Sequence, residues 1–485
     1  MLFNSLSYIL FLPVVAVILY LMPGRYQWFW LMACSTFFYY TLLPVYLILL
    51  FTLILLNYYV GIAIERSESK RNSIFILGVC FNVIVLAFFK YFGFFQSLFS
   101  DIRKLSANDH LLKIILPVGL SFFIFTILSY LIEVKRGTIK AERHIGIFAS
   151  SIMFFPKIMQ GPIEKPGNIF PQFLEVKSFN YDMVVEGLKL MIWGYFKKLV
   201  IADRLAIYVN AVYDNYEHHS GISLLVATIF YSFQIYADFS GYTDIALGSA
   251  KVLGFNLTNN FKRPYFATSI KEFWNRWHIS LSVWLRDYLF LPLAVSFAGK
   301  IKEIKYMGLA REKWIFMFAT IITFVICGIW HGEGLNFMIW GLLFGIYLTI
   351  ANWTLGFDKK LRKRFGISIK SVLYRFYAIL ITFILVTFAW IFFRARNLTD
   401  AFLIIKKIYL FSGTFYIGEI RRFLISIMEI IFLIIIEMRI EYFGHRTFPF
   451  KNSIWLQEQL IYAFLIILIL LLGVFDGGQF LYFQF

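Results

Sequence analysis

The run Ile326–Phe337, ICGIWHGEGLNF, sets His331 and Glu333 among three glycines, Gly328, Gly332 and Gly334. Apolar sequence flanks it, WIFMFATIITFVICGIW before and LNFMIWGLLFGIYLTI after. An imidazole kept from water stays neutral and can accept a proton. In a narrow dry site it makes a good general base for activating a hydroxyl. The glycines let backbone or substrate approach closely. Two other readings compete: a histidine merely packed at a helix break, and a metal site drawing on His331, Glu333 and His278. HxE alone is a weak metal signature and no HExxH-like spacing is present, so no metal is expected.

A second concentration of chemistry lies in NNFKRPYFATSIKEFWNRWHISLSVWLRDYLFLPL, Asn259–Leu293. The spacing predicts a helix over Ser269–Leu289, with Lys271, Asn275, Ser282 and Arg286 on one stripe and Trp274, His278, Leu281 and Leu285 on another. His278 then points into the protein, as a satisfied core residue or as a second functional imidazole. Lys262, Arg263, Lys271, Arg276 and Arg286 could grip phosphates or snorkel to lipid head groups. In YSFQIYADFSGYTDIALGSAKVLGF, Tyr231–Phe255, Asp238 and Asp244 interrupt an apolar run. A carboxylate there faces a cavity or a partner. Structural readings are a cap by Asp238 where a helix breaks at Gly241 and an arginine partner for Asp244.

The elements that hold these residues are membrane helices. Of the 485 residues 60% are hydrophobic, 20% aromatic and only 15% charged, against about 25% charged in soluble domains. Apolar runs recur along the whole chain without barrel-like alternation, so the spans are helical. Candidate spans are Tyr8–Leu21, Trp28–Tyr58 (two short helices divided near Pro44), Ile74–Phe99, Leu112–Val134, Ile145–Met159 and Met183–Tyr208. Ile222–Leu253, Trp314–Trp330, Leu335–Trp353, Leu373–Phe393, Phe423–Met438 and Ile454–Val474 complete roughly a dozen. The N-terminus reads as a retained first span, not a removed signal peptide. No soluble domain or internal repeat is evident, and residues 1–485 read as one membrane domain. FFPKIMQGPIEKPGNIFPQF, Phe154–Phe173, carries four prolines and cannot be a regular span. Such backbone is tolerated at membrane depth only when buried in protein or lining a wet cavity.

The net charge of +18 sits in short loops, GKIKEIKYMGLAREK (Gly299–Lys313) and DKKLRKRFGISIK (Asp358–Lys370) among them. That is the positive-inside pattern and argues for a cytoplasmic position of both loops, not for nucleic acid. Cys34, Cys80 and Cys327 show neither metal spacing nor an obvious disulfide pairing.

DFSGYTDIALG, FWNRWHISLSVWLRDYLFLPL and GIWHGEGLNFMIWG, in that order, resemble the signature blocks of the membrane-bound O-acyltransferase (MBOAT) family. They are more similar to its bacterial alginate and peptidoglycan O-acetyltransferase branch than to the D-alanyl transferase of teichoic acid synthesis. The resemblance runs from FPKIMQGPIEK to the end of the chain. It implies an all-α polytopic fold of roughly 11–13 transmembrane helices, with re-entrant segments around a central tunnel and a core at about 150–350. The family's near-invariant histidine falls on His331 and its second histidine on His278. Acetyl-CoA is the implied donor, with Arg263, Arg276 and Arg286 as candidates for its phosphates and no permanently bound cofactor. The implied activity is transfer of acetyl from cytoplasmic acetyl-CoA across a bacterial cytoplasmic membrane. An extracytoplasmic esterase-like transferase would complete O-acetylation of an envelope polysaccharide. A D-alanyl or longer acyl group, and a transporter of glycan or lipid built on broken helices, are the alternatives. The C-terminal GGQFLYFQF holds Phe480, Tyr482 and Phe485 in a Phe-x-Tyr-x-x-Phe pattern similar to tails of this branch. Tyr482 reads as an acyl-accepting phenol or as part of an interfacial aromatic anchor.

Overall fold

The computed structural model describes residues 1–103, 117–301, 305–306, 308–444 and 455–475. Apart from one short hairpin their regular secondary structure is helical, and they form two compact units.

The first unit comprises Met1–Gly194 and Tyr242–Thr258. Its helices are α1 (Leu6–Leu21), α2 (Gln27–Tyr40), α3 (Leu47–Arg66), α4 (Arg71–Arg103), α5 (Leu120–Arg136), α6 (Ile145–Met153), the single turn α7 (Phe155–Ile158), α8 (Pro166–Leu174) and nearly all of α9 (Tyr181–Tyr195). Pro44 divides α2 from α3, as its missing N–H requires. The proline-rich segment is irregular: α6 stops at Met153, Phe154 leaves helical geometry, and Pro166 opens α8 at a position where a proline costs nothing. Every residue from Phe154 to Glu164 is buried, so this backbone is enclosed by protein. Glu164 closes the segment by accepting hydrogen bonds from the Thr258 N–H and hydroxyl and from the Asn168 amide. Lys157, in the same segment, is buried as well.

The second unit comprises Tyr195–Gly241 and Asn259–Phe485. It opens on a wide helical turn, Phe196–Ala202, followed by α10 (Asp203–Tyr213) and the long α11 (Gly221–Val252), whose residues up to Gly241 belong here. Then come α12 (Ile270–Arg276), α13 (Ile279–Leu285), a second wide turn Arg286–Phe290, and α14 (Leu291–Lys300). A two-residue antiparallel hairpin, β1 (Lys305–Tyr306) and β2 (Leu309–Ala310), leads into α15 (Arg311–His331). The rest are α16 (Leu335–Arg364), α17 (Val372–Arg394), α18 (Leu398–Leu410), α19 (Ile420–Phe443) and α20 (Trp455–Leu472).

Among the described residues seven helical runs are long and apolar enough to cross a membrane, and α1 and Leu456–Leu472 are shorter apolar helices. That is fewer than the sequence pattern suggests. Ile145–Met159 is cut at Phe154. Lys197 and Lys198 sit in the wide turn that divides Met183–Tyr208. Arg421, Arg422, Glu429, Glu437 and Arg439 punctuate α19. Conversely, Ile279–Lys300 is a candidate span that Arg286 and Asp287 obscure in the sequence.

Candidate functional site

His331 is the last residue of α15. The opening stretch is therefore the turn of a helical hairpin, and its glycines are required by how closely α15 and α16 approach. A Cβ on Gly328 would lie 2.3 Å from the Phe337 carbonyl oxygen, and one on Gly341 would lie 2.1 Å from that of Phe324. Asn336 fastens the turn to the end of α17, its amide donating to the Phe392 and Ala395 carbonyls at 3.0 Å each. The imidazole of His331 is buried, edge-on to Trp340 at 5.0 Å and to Phe393 at 5.1 Å. Glu333 is exposed, so the two members of the HxE pair face different surroundings.

His278 lies where the predicted helix over Ser269–Leu289 breaks. The backbone ends α12 at Arg276, is extended at Trp277, and turns left-handed at His278 (φ 42, ψ 55) before α13 begins. A left-handed conformation costs a non-glycine residue about 1–2 kcal/mol, so neighbouring contacts must hold it. Asn260 supplies them. Its carbonyl accepts from Ile279 N at 2.9 Å, and its side-chain Oδ1 accepts from Ser280 N at 3.1 Å and Ser280 Oγ at 2.6 Å. Lys262 N donates to the Arg276 carbonyl at 2.9 Å, closing the other side of the break. Periodicity cannot register a break imposed by a distant asparagine. The inward stripe survives in two pieces, with Trp274, His278, Leu281 and Leu285 all buried. The His278 ring packs edge-on against Phe239 of α11 at 4.7 Å.

One aromatic cluster carries both histidines. Trp277, next to His278, lies 5.1 Å from Trp390, which stacks at 5.9 Å on Trp340, which in turn meets His331. Trp390 and Phe393 are three residues apart on α17 and so share a face. That face links the ring beside His278 to the rings that meet His331, 53 positions further along the sequence.

The three arginines stand differently. Arg263 and Arg276 share the carboxylate of Glu441, at 2.7 and 2.8 Å, and Arg276 also pairs with Glu272 at 2.7 Å. Two guanidiniums and two carboxylates leave this cluster neutral. Burial pulls the Glu272 carboxyl upward, but hydrogen bonds from Thr268 and the Arg276 charge outweigh it and hold the group below its usual range. Arg286 is exposed and pairs with Asp287 at 2.7 Å.

Asp238 does not cap a broken helix, because α11 is continuous through Gly241. It is buried in an ion pair with Lys198 at 2.7 Å, and Lys198 also reaches Asp203 at 2.8 Å. Lys197 donates to Ser240 Oγ at 2.8 Å. Both lysines come from the wide turn Phe196–Ala202, a feature frequent at functional positions. Asp244 belongs to the first unit and is half-buried. Tyr482, with Phe480 and Phe485, lies outside the described residues. The last described hydrogen bond toward that tail runs from Val474 N to the Leu199 carbonyl, at 3.0 Å, on the same wide turn.

Sequence reasoning missed Asn260, Trp340, Trp390, Phe393 and the Lys197–Lys198 pair. Two adjacent lysines inside the apolar run Met183–Tyr208 were a legible signal. Asn260 gave none, since its partners lie 19 and 20 residues further along.

A model of the membrane-bound O-acyltransferase family matches residues 148–391, half of the chain, including both histidines and all three arginines. The chain is 32% identical to a probable alginate O-acetylase AlgI of Pseudomonas putida over 459 residues, covering 93% of this chain and 89% of that protein. It is 35% identical to the peptidoglycan O-acetyltransferase of Helicobacter pylori over 406 residues, 78% of this chain and 72% of the other. A teichoic acid D-alanyltransferase of Bacillus subtilis is 28% identical over 249 residues, 50% of this chain and 60% of that one.

Proposed function

The chain belongs to the membrane-bound O-acyltransferase family and is a multi-pass membrane O-acyltransferase; on that premise we propose that it moves acetyl from acetyl-CoA to a cell-envelope polysaccharide. Acetyl is favoured over D-alanyl because the likeness to the acetylase relative runs over 93% of the chain and that to the D-alanyl relative over 50%. The thioester donor enters from the cytoplasmic side of a bacterial cytoplasmic membrane, where the basic loops lie, and the acceptor waits outside. A separate extracytoplasmic transferase completes delivery to the glycan.

The observation that carries this reading is His331, buried against Trp340 and Phe393 on the interhelical turn of the matched region. In the proposed step His331 takes the proton of the attacking hydroxyl as its oxygen bonds to the acetyl carbonyl carbon. The C–S bond then breaks, and CoA leaves as a thiolate that regains a proton. His278 orients the acceptor. Arg286, on the exposed surface, serves a CoA phosphate more readily than Arg263 and Arg276, which Glu441 already engages. Tyr482 is the proposed portable acceptor. It follows Val474 by eight residues, a reach of up to about 28 Å when extended, and Val474 is fastened to the unit that holds both histidines.

The test is reconstitution of the full chain in liposomes with acetyl-labelled acetyl-CoA, following release of CoA and label on the C-terminal peptide. Wild type should release CoA and acquire label, and Tyr482→Phe should not acquire it. Labelling only from a D-alanyl thioester would overturn the acetyl assignment. CoA release with label never on the tail would remove Tyr482 from the pathway.

A further inference from the structure

His278 occupies the position immediately before α13, where a side chain ordinarily turns back to satisfy the first free N–H groups of the helix. Its imidazole makes no such bond. The two N–H groups that follow it, of Ile279 and Ser280, are instead taken by the carbonyl and the Oδ1 of Asn260, which is fully buried. The Ser280 hydroxyl adds a third bond to the same Oδ1. An asparagine from another segment thus does the capping, and the imidazole is directed inward against Phe239. The same bonds fix the left-handed backbone at His278, which sets the direction of its Cα–Cβ bond.

We infer that Asn260 is a positioning residue for the acyl transfer: it caps α13 in place of His278 and so aims the imidazole. This rests on the reading in which His278 takes part in the transfer. Among the described residues the side-chain amide nitrogen of Asn260 has no hydrogen-bond partner, so an aspartate at 260, which keeps the acceptor oxygen, should serve as well. Its carboxylate would sit at the N-terminus of a helical run continuing from Ile279 to Lys300, where negative charge is favoured.

The experiment compares Asn260→Ala, Asn260→Asp, Ser280→Ala, His278→Ala and the Asn260→Ala/His278→Ala double variant in the reconstituted full chain. Misplacing a reacting group by about 1 Å costs roughly 10²-fold in rate. Asn260→Ala should therefore lower kcat by that order while leaving the KM for acetyl-CoA unchanged. Asn260→Asp should restore most of the rate, and Ser280→Ala, which removes one of three bonds, should lose less than Asn260→Ala. The double variant should be no slower than His278→Ala alone, because a residue acting through another adds nothing once that other is gone. A further multiplicative loss in the double variant, or an aspartate no better than alanine, would overturn the inference. A measurement independent of activity is carbethoxylation of His278 by diethyl pyrocarbonate, read by mass spectrometry. Asn260→Ala should speed modification and Asn260→Asp should not; equal rates in all three proteins would also overturn it. If His278→Ala keeps full activity while the modification rates shift as stated, the positioning stands and the role of His278 in transfer falls.

Discussion

His331 has the clearest expected phenotype. A general base contributes about 10²–10⁴ in rate. His331→Ala should lose that much acetyl transfer while keeping its yield and its affinity for CoA, measured by single-turnover assay and equilibrium binding. Residual activity above roughly a tenth of wild type would sink the assignment. The arginines separate by their partners. Arg276→Glu should destabilise the fold by placing a third carboxylate beside Glu272 and Glu441, and Arg276→Gln, which adds no carboxylate, should lower the melting temperature less. Arg286→Glu should instead raise the KM for acetyl-CoA and lower the melting temperature less than Arg276→Glu does, since Arg286 is the more exposed of the two and pairs with a single carboxylate, Asp287, in the ion pair described above. An Arg286→Glu variant with an unaltered KM would remove it from the donor site.

The α15–α16 hairpin is the element that sets the position of His331, and glycine makes it possible. Gly341→Leu forces a side chain into the Phe324 carbonyl, 2.1 Å from where the Cβ would sit. Overpacking of this kind costs about 1–3 kcal/mol or more. The variant should melt several degrees lower in detergent, with activity falling alongside because the His331 turn is displaced. Gly356, on the same helix, has nothing within 4 Å of a Cβ. Gly356→Ala should leave the melting temperature unchanged or raise it slightly, as alanine favours helix by about 1 kcal/mol. Equal losses in both variants would show that helix propensity, not the close approach, governs the hairpin.

For the chain as a whole, the hairpin gives the charge pattern a geometric reading. Lys313 donates to the Trp353 carbonyl at 2.8 Å, and the Trp353 indole donates back to the Lys313 carbonyl at 3.3 Å. The basic stretches 308–313 and 358–370, which include the start of α15 and the end of α16, therefore lie at the same end of the hairpin. His331 lies at the other, about 30 Å along a helix of 21 residues. Single cysteines replacing Lys305 and Lys370, in a background without the native cysteines, should react with an impermeant maleimide only from the cytoplasmic side. Labelling of the two from opposite faces would contradict the antiparallel pairing.

What the sequence determined by itself is what composition and local spacing control. Long apolar runs dictate membrane helices because lipid leaves no other partner for the backbone. Pro44 separates two helices and Pro166 opens one, positions that a missing N–H and a fixed φ favour. The signature blocks around Asp238, His278 and His331 mark the family. The tertiary structure decided the rest. The helix predicted over Ser269–Leu289 is broken at His278 because Asn260, remote in sequence, satisfies the N–H groups that follow it. Asp238 is paired with Lys198, not left as a cap, because a wide turn 40 residues earlier delivers the ammonium. Arg263 and Arg276 look alike as phosphate ligands in the sequence, yet Glu441 of α19 engages both. The two histidines meet one aromatic cluster only because Trp390 and Phe393 lie on the same face of α17. Each of these depends on a contact between segments far apart along the chain, and residue type and period carry no record of such partners.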